Sequence, residues 1–104
     1  MNVAQRNRAA TIARRQCSAT QWRATWLRRE HARVGGKCHF CKGHTELEGD
    51  GPFRATVDHL IPRALKGADH PKNWRLACFT CNNLKDDRSE AEFIAELRAV
   101  GIRD

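Results

Sequence analysis

The octapeptide Cys78-Phe-Thr-Cys-Asn-Asn-Leu-Lys85 runs a C-x-x-C knuckle straight into a short segment of helical character. A second knuckle, Cys38-His-Phe-Cys41, precedes it with 36 residues (42–77) between the two. Two intervening residues let both sulfurs of a knuckle turn toward one tetrahedral ion. The spacing therefore predicts a structural Zn²⁺ held by the thiolates of Cys38, Cys41, Cys78 and Cys81. The gap exceeds the roughly 15–20 residues of a plain zinc ribbon, so a further unit is expected between the knuckles. Two alternatives stay open. His44, at C-x-x-C-x-x-H, offers a nitrogen in place of one sulfur, and the pairs could be redox-active, although no βαβ pattern surrounds either. His39, inside the first knuckle, reads as an exposed turn residue, and Cys17 as a free thiol.

Outward from the knuckles, Phe53-Arg-Ala-Thr-Val57 alternates apolar and polar and predicts a strand ending near Asp58-His59. Pro62 and Gly67 mark an irregular loop to Pro71, and Trp74-Arg-Leu-Ala77 predicts a second short strand leading into a helix at 79–86. Ser89-x-x-Glu92 is a capping box that opens an amphipathic helix bearing Phe93, Ile94, Leu97 and Val100, closed by Gly101. Upstream, Trp22, Trp26, Leu27 and Val34 recur at helical spacing and predict a helix over 20–33, ended by Gly35-Gly36. Its apolar stripe is expected to dock on the zinc core, with Arg23, Arg28, Arg29 and Arg33 pointing elsewhere. Residues 4–16 read as helical or disordered.

The chain has 104 residues, and fourteen of its hydrophobic residues are alanine. So small a core calls for a staple, which a metal supplies. No apolar run approaches the ~18 residues of a membrane span, and the N-terminus lacks the apolar centre of a signal peptide. A membrane protein is excluded, and a cytoplasmic, reducing setting is expected, consistent with paired cysteines that bind metal rather than each other. Charge is divided unevenly. Residues 1–37 carry eight Arg and one Lys against Glu30, whereas 38–104 carry ten basic and eleven acidic groups. All of the +7 excess thus sits in the first third. This division suggests a basic helical arm over 1–36 that contacts a polyanion through residues such as Arg14, Arg15, Arg23, Arg28 and Arg29, followed by a domain over 37–104.

Beside the knuckles stand Asp58-His59, Asn73, Asn82 and Lys85. A carboxylate and an amide oxygen are hard ligands for Mg²⁺ or Mn²⁺. A neutral histidine next to that ion can take the proton of an attacking water. Asn82 and Lys85 stand at i, i+3 on one helix face, which puts a cation within reach of the same phosphate. One tension is visible: neighbours on a regular strand face opposite ways, so the strand must end or bulge at Asp58-His59.

The run Val57-Asp-His-Leu-Ile-Pro62, then Asn73-Trp-Arg-Leu76, then Cys78 to Lys85, resembles the HNH endonuclease family in its zinc-knuckle subtype over residues 38–88. The helix over Trp22–Leu27 is similar to the leading helix of small phage-type members. The resemblance implies an α+β fold of ββα-metal (His-Me finger) type, stapled by the four-cysteine zinc site and flanked by N- and C-terminal helices. It implies metal-dependent cleavage of double-stranded DNA, with His59 as general base, Asp58 as ligand of the catalytic ion, and Asn73 holding the loop that orients His59. The third motif position, a histidine in many members, is Asn82 here; an amide oxygen shifts preference toward Mg²⁺ or Mn²⁺. Packaging and restriction both use the motif, so a larger phage or restriction assembly is a candidate partner. Two rival readings share the basic arm and the zinc: a zinc-stapled DNA-binding module without catalysis, and an RNA-binding or ribosome-associated zinc protein.

Overall fold

In the computed structural model, which describes residues 21–104, helix α1 occupies 21–33. Arg14, Arg15, Cys17 and the segment 4–16 lie outside the described residues. Gly35 and Gly36 end α1 at φ +65° and +74°. A Cβ at Gly36 would stand 2.9 Å from His31 Nε2, and the Gly36 carbonyl accepts both the amide and the hydroxyl of Thr45 at 2.7 Å. This turn leads directly into the first knuckle.

Strands β1 (Ala55–His59) and β2 (Trp74–Cys78) pair antiparallel, with Ala55 opposite Cys78 and His59 opposite Trp74. Phe53 and Arg54, expected inside β1, precede it; Arg54 bridges Glu46 in parallel instead. Helix α2 (Phe79–Lys85) follows β2 without a break. The Cys78 sulfur accepts the amide of Cys81 at 3.3 Å, so the knuckle itself caps the helix. Helix α3 (Glu90–Ala99) starts at Ser89, whose hydroxyl accepts the Glu92 amide and bonds the Glu92 carboxylate, both at 3.1 Å. Together these elements form a ββα unit with a helix on either side.

The core consists of Cys38, Phe40, Ala77, Cys78, Cys81, Phe93 and Leu97, with Cys41, Leu60 and Ile94 packed against it. Phe40 and Phe93 meet edge to face at 5.2 Å. Val100, expected on the apolar face of α3, is exposed. It falls at the end of the helix, beyond the core. The C-terminal segment closes over the first knuckle: Arg103 donates to the carbonyls of His39 and Phe40 at 2.9 and 3.2 Å. His39 is therefore half-buried rather than exposed, and its Nε2 meets Glu90 at 2.6 Å.

The stripe of α1 docks away from the cysteines. Trp22 and Trp26 pack edge to face on Trp74 at 5.7 and 5.6 Å, at the start of β2. The reason is geometric: Trp74 is the largest buried side chain, and it lies opposite His59 at the end of the ladder far from Cys78. Among the described residues, no helix is long and apolar enough to cross a membrane.

Candidate functional site

The four knuckle cysteines converge, with all four sulfurs within 4.8 Å of one another. Backbone amides of Phe40 and Gly43 point at the sulfurs of Cys38 and Cys41, each at 3.4 Å, an arrangement that favours thiolates. Hydrogen bonding from Cys81 holds Cys38 down at about 4. Burial pushes the Cys78 thiol up to about 11, and the bond to Cys38 drives Cys81 upward as well. One thiolate is thus shared by its neighbours, and further charge at this point needs a cation. The donor set fits a structural metal ion such as zinc. His44 is exposed and bridges Lys37, outside the cluster, so the sulfur-only set stands.

Asp58 and His59 are the last two residues of β1, and the ladder runs through both without a bulge. The strand ends after His59, and the two side chains meet different partners, Lys85 for Asp58 and Asp69 for His59, while both residues line an open cleft of about 260 Å³ together with Pro62, Arg63, Asn82, Asp86 and Asp87. Asp58 is 3% exposed. Lys85 Nζ stands 3.4 Å from its Oδ2, an ion-pair distance but a long one for a hydrogen bond, and no other donor reaches that oxygen among the described residues. Burial pushes the Asp58 carboxyl above its ordinary range, opposed by Lys85 and then His59. A buried carboxylate oxygen short of partners, lining a cleft, is suited to a hard divalent cation.

Asn82 is held by its amide nitrogen, which donates to Thr56 Oγ1 at 3.0 Å and the Val57 carbonyl at 3.1 Å. Thr56 in turn donates to the Ala77 carbonyl at 2.7 Å, locking both strands to the helix. The Asn82 side-chain oxygen remains as its acceptor.

Lys85 is where the sequence reading needs correction. Expected at a phosphate, it is fully buried, and its ammonium donates to the His59 carbonyl at 3.0 Å while facing Asp58. The i, i+3 face that it shares with Asn82 packs against β1 instead of opening to solvent. Arg23 needs a similar correction. It forms an ion pair with Asp69 and stacks 5.9 Å over Trp74, so it is not a free surface cation. Arg28 and Arg29 are exposed on α1.

The Asn73 amide ties the intervening loop at two residues through three hydrogen bonds. Its oxygen accepts the Ile61 amide at 2.9 Å, and its nitrogen donates to the carbonyls of Ile61 and Ala68 at 3.0 and 2.9 Å. Those two anchor points flank His59 on one side and Asp69 on the other. His70 stays on the surface, where its Nδ1 accepts the Lys72 amide at 3.2 Å. Asp69 carries no local sequence signal. In Gly67-Ala-Asp-His-Pro71 it looks like any turn carboxylate. Yet its Oδ1 lies 2.9 Å from His59 Nε2 and 3.1 Å from Trp74 Nε1.

A family model described as HNH endonuclease matches residues 38–88. Among curated proteins, nothing matches the chain.

Proposed function

Residues 38–88 belong to the HNH endonuclease family, and on that premise we propose that this protein hydrolyses phosphodiester bonds of double-stranded DNA in a reaction that depends on a divalent ion. The observation that carries the reading is the shared cleft: Asp58, whose Oδ2 accepts no hydrogen bond and meets only the Lys85 ammonium at ion-pair distance, lines one opening with His59 and Asn82. Asp58 and the Asn82 oxygen would hold Mg²⁺ or Mn²⁺, and the four cysteines would hold Zn²⁺. A divalent ion bound there supplies polarisation of the phosphate and charge stabilisation for the leaving 3′-oxygen.

The rest is the work of the chain. His59 takes the proton of the attacking water as general base. Asn73 keeps the loop after β1 in place, and Lys85 braces Asp58 and the His59 carbonyl from inside. Arg63 offers a cation at the mouth of the cleft. The exposed Arg28 and Arg29, with Arg14 and Arg15 of the preceding segment, supply phosphate contacts that position the duplex without reading its sequence.

Nicking of supercoiled plasmid with Mg²⁺ or Mn²⁺, and with EDTA, tests the reading. Wild type should nick only with the divalent ion. His59→Ala should lose on the order of 10²–10⁴-fold in rate while keeping zinc content and DNA binding. Absence of metal-dependent nicking by the wild type would favour a zinc-stapled binding module. Nicking by His59→Ala at the wild-type rate would remove His59 from the role of base.

A further inference from the structure

We propose that Asp69 is a positioning residue for His59, fixing which ring nitrogen carries the proton and so leaving Nδ1 as the base; this rests on the nuclease reading above.

Three side chains converge on the Asp69 carboxylate: His59 Nε2 at 2.9 Å, Trp74 Nε1 at 3.1 Å, and the Arg23 guanidinium. Trp and Arg side chains are donors only, so the carboxylate must accept from both. Hydrogen bonding from His59, then the charge and hydrogen bonds of Arg23 and Trp74, hold its carboxyl down at about 2. Asp69 is thus ionised and acceptor-only, and the His59 nitrogen that meets it must carry a hydrogen. In the neutral ring this leaves the hydrogen on Nε2 and the lone pair on Nδ1. The proton acceptor and its orienting group are then on opposite sides of the imidazole, as where a carboxylate fixes a catalytic histidine in hydrolases, although Asp69 lies at the surface with its side chain 28% exposed.

The surroundings are built for this contact. Trp74 lies directly opposite His59 in the strand ladder, and their rings meet edge to face at 6.4 Å. Asn73 anchors both the segment after His59 and the residue before Asp69. Gly67 lets the loop close: a Cβ there would lie 1.7 Å from the Ile61 carbonyl oxygen. Arg23 extends the chain of contacts to α1, so a helix outside residues 38–88 holds the carboxylate that orients His59.

An asparagine at 69 cannot satisfy three donors. Its NH₂ must oppose either the guanidinium or the His59–Trp74 pair, and in the second case His59 is driven to carry its hydrogen on Nδ1. The test uses the full-length, zinc-loaded protein. Ring ¹⁵N–¹H correlation spectra should give wild-type His59 a hydrogen on Nε2, with ring nitrogen shifts of that tautomer that change in Asp69→Asn. Plasmid nicking by Asp69→Asn should fall on the order of 10²-fold or more at saturating DNA, with zinc content and DNA affinity retained. Asp69→Glu, which keeps the charge, should recover part of that loss.

A wild-type His59 with its hydrogen on Nδ1 overturns the proposal whatever any variant does. So does an Asp69→Asn protein that nicks within about threefold of wild type. Should the wild type fail to nick at all, the nuclease reading falls, and the spectra of wild type and Asp69→Asn still decide whether Asp69 sets the His59 ring.

Discussion

Lys85 holds its charge inside the protein, 3.4 Å from Asp58 Oδ2 and 3.0 Å from the His59 carbonyl, with no exposed surface. An ammonium buried in this way is stabilising only while its partners remain, and each partner relies on it equally. Lys85→Met should therefore cost about 3 kcal/mol in denaturant unfolding, because it strands a buried carboxylate. Adding Asp58→Asn should return a large part of that loss, since the double variant no longer contains a lone buried charge. A surface lysine that touched phosphate would behave otherwise: Lys85→Met would leave stability unchanged and weaken DNA binding. Equal unfolding midpoints for wild type and Lys85→Met would thus contradict the buried pair. The same contrast explains why the sequence misled at this position. An i, i+3 spacing identifies a helix face, but not whether that face meets solvent or a strand.

Between β1 and β2 the chain has no regular secondary structure beyond two short 3₁₀ turns, Arg63–Leu65 and Pro71–Asn73, yet it carries the contacts that orient His59. Its closure depends on Gly67, whose amide bonds the Pro62 carbonyl at 3.0 Å in a space that admits no side chain. Gly67→Ala should displace the loop by about an ångström or more and lower nicking on the order of 10²-fold, since misplacement of that size removes reactive alignment. Zinc content should be unaffected, because the knuckles lie at the other end of the ladder; a fully active Gly67→Ala protein would mean that the loop does not position the base. The regular elements were legible in the sequence. Alternation marked β1, the stretch Trp74–Ala77 between the loop and the second knuckle marked β2, the Ser89 capping box marked α3, and the C-x-x-C spacing marked the metal cluster. Asp58, His59 and Asn82 were legible because fixed offsets from the knuckles set them in register. Asp69, Thr56 and the inward turn of Arg23 were not, because each acts through a contact between distant segments. Arg23 and Asp69 are 46 residues apart, and no local pattern links them.

For the whole molecule, two features decide how it behaves in solution: a small core in which cysteine is prominent and an uneven distribution of charge. Among the described residues the buried hydrophobics number nine, and three of them, Cys38, Cys78 and Cys81, contribute sulfur, so apolar burial alone is small. Apparent binding energies of about 10–16 kcal/mol for structural Zn²⁺ equal or exceed the net stability of a typical domain. One zinc per chain is expected by elemental analysis, and its removal by strong chelation should unfold the domain cooperatively; a folded, soluble Cys78→Ser protein would argue against this. The charge division bears on DNA. Residues 38–104 carry one more acidic than basic group, and Asp86 and Asp87 border the cleft beside Arg63, so this part of the chain offers no net attraction for a polyanion. On the proposed function, attraction for the duplex is assigned to the first 37 residues, which carry the positive excess. Of their eight arginines, Arg23 is committed to Asp69 and Arg33 pairs with Glu30, while Arg28 and Arg29 remain exposed. Each phosphate contact releases condensed counterion and adds about 0.9 to the slope of log affinity against log salt. Replacing Arg14, Arg15, Arg28 and Arg29 together by Gln in the full chain should therefore flatten that slope by roughly 3 to 4. The rate on saturating DNA should change little, because saturation offsets the lost affinity and Arg28 and Arg29 stand outside the cleft lining. An unchanged slope would mean that these arginines are only a solvated surface and that the duplex is held elsewhere.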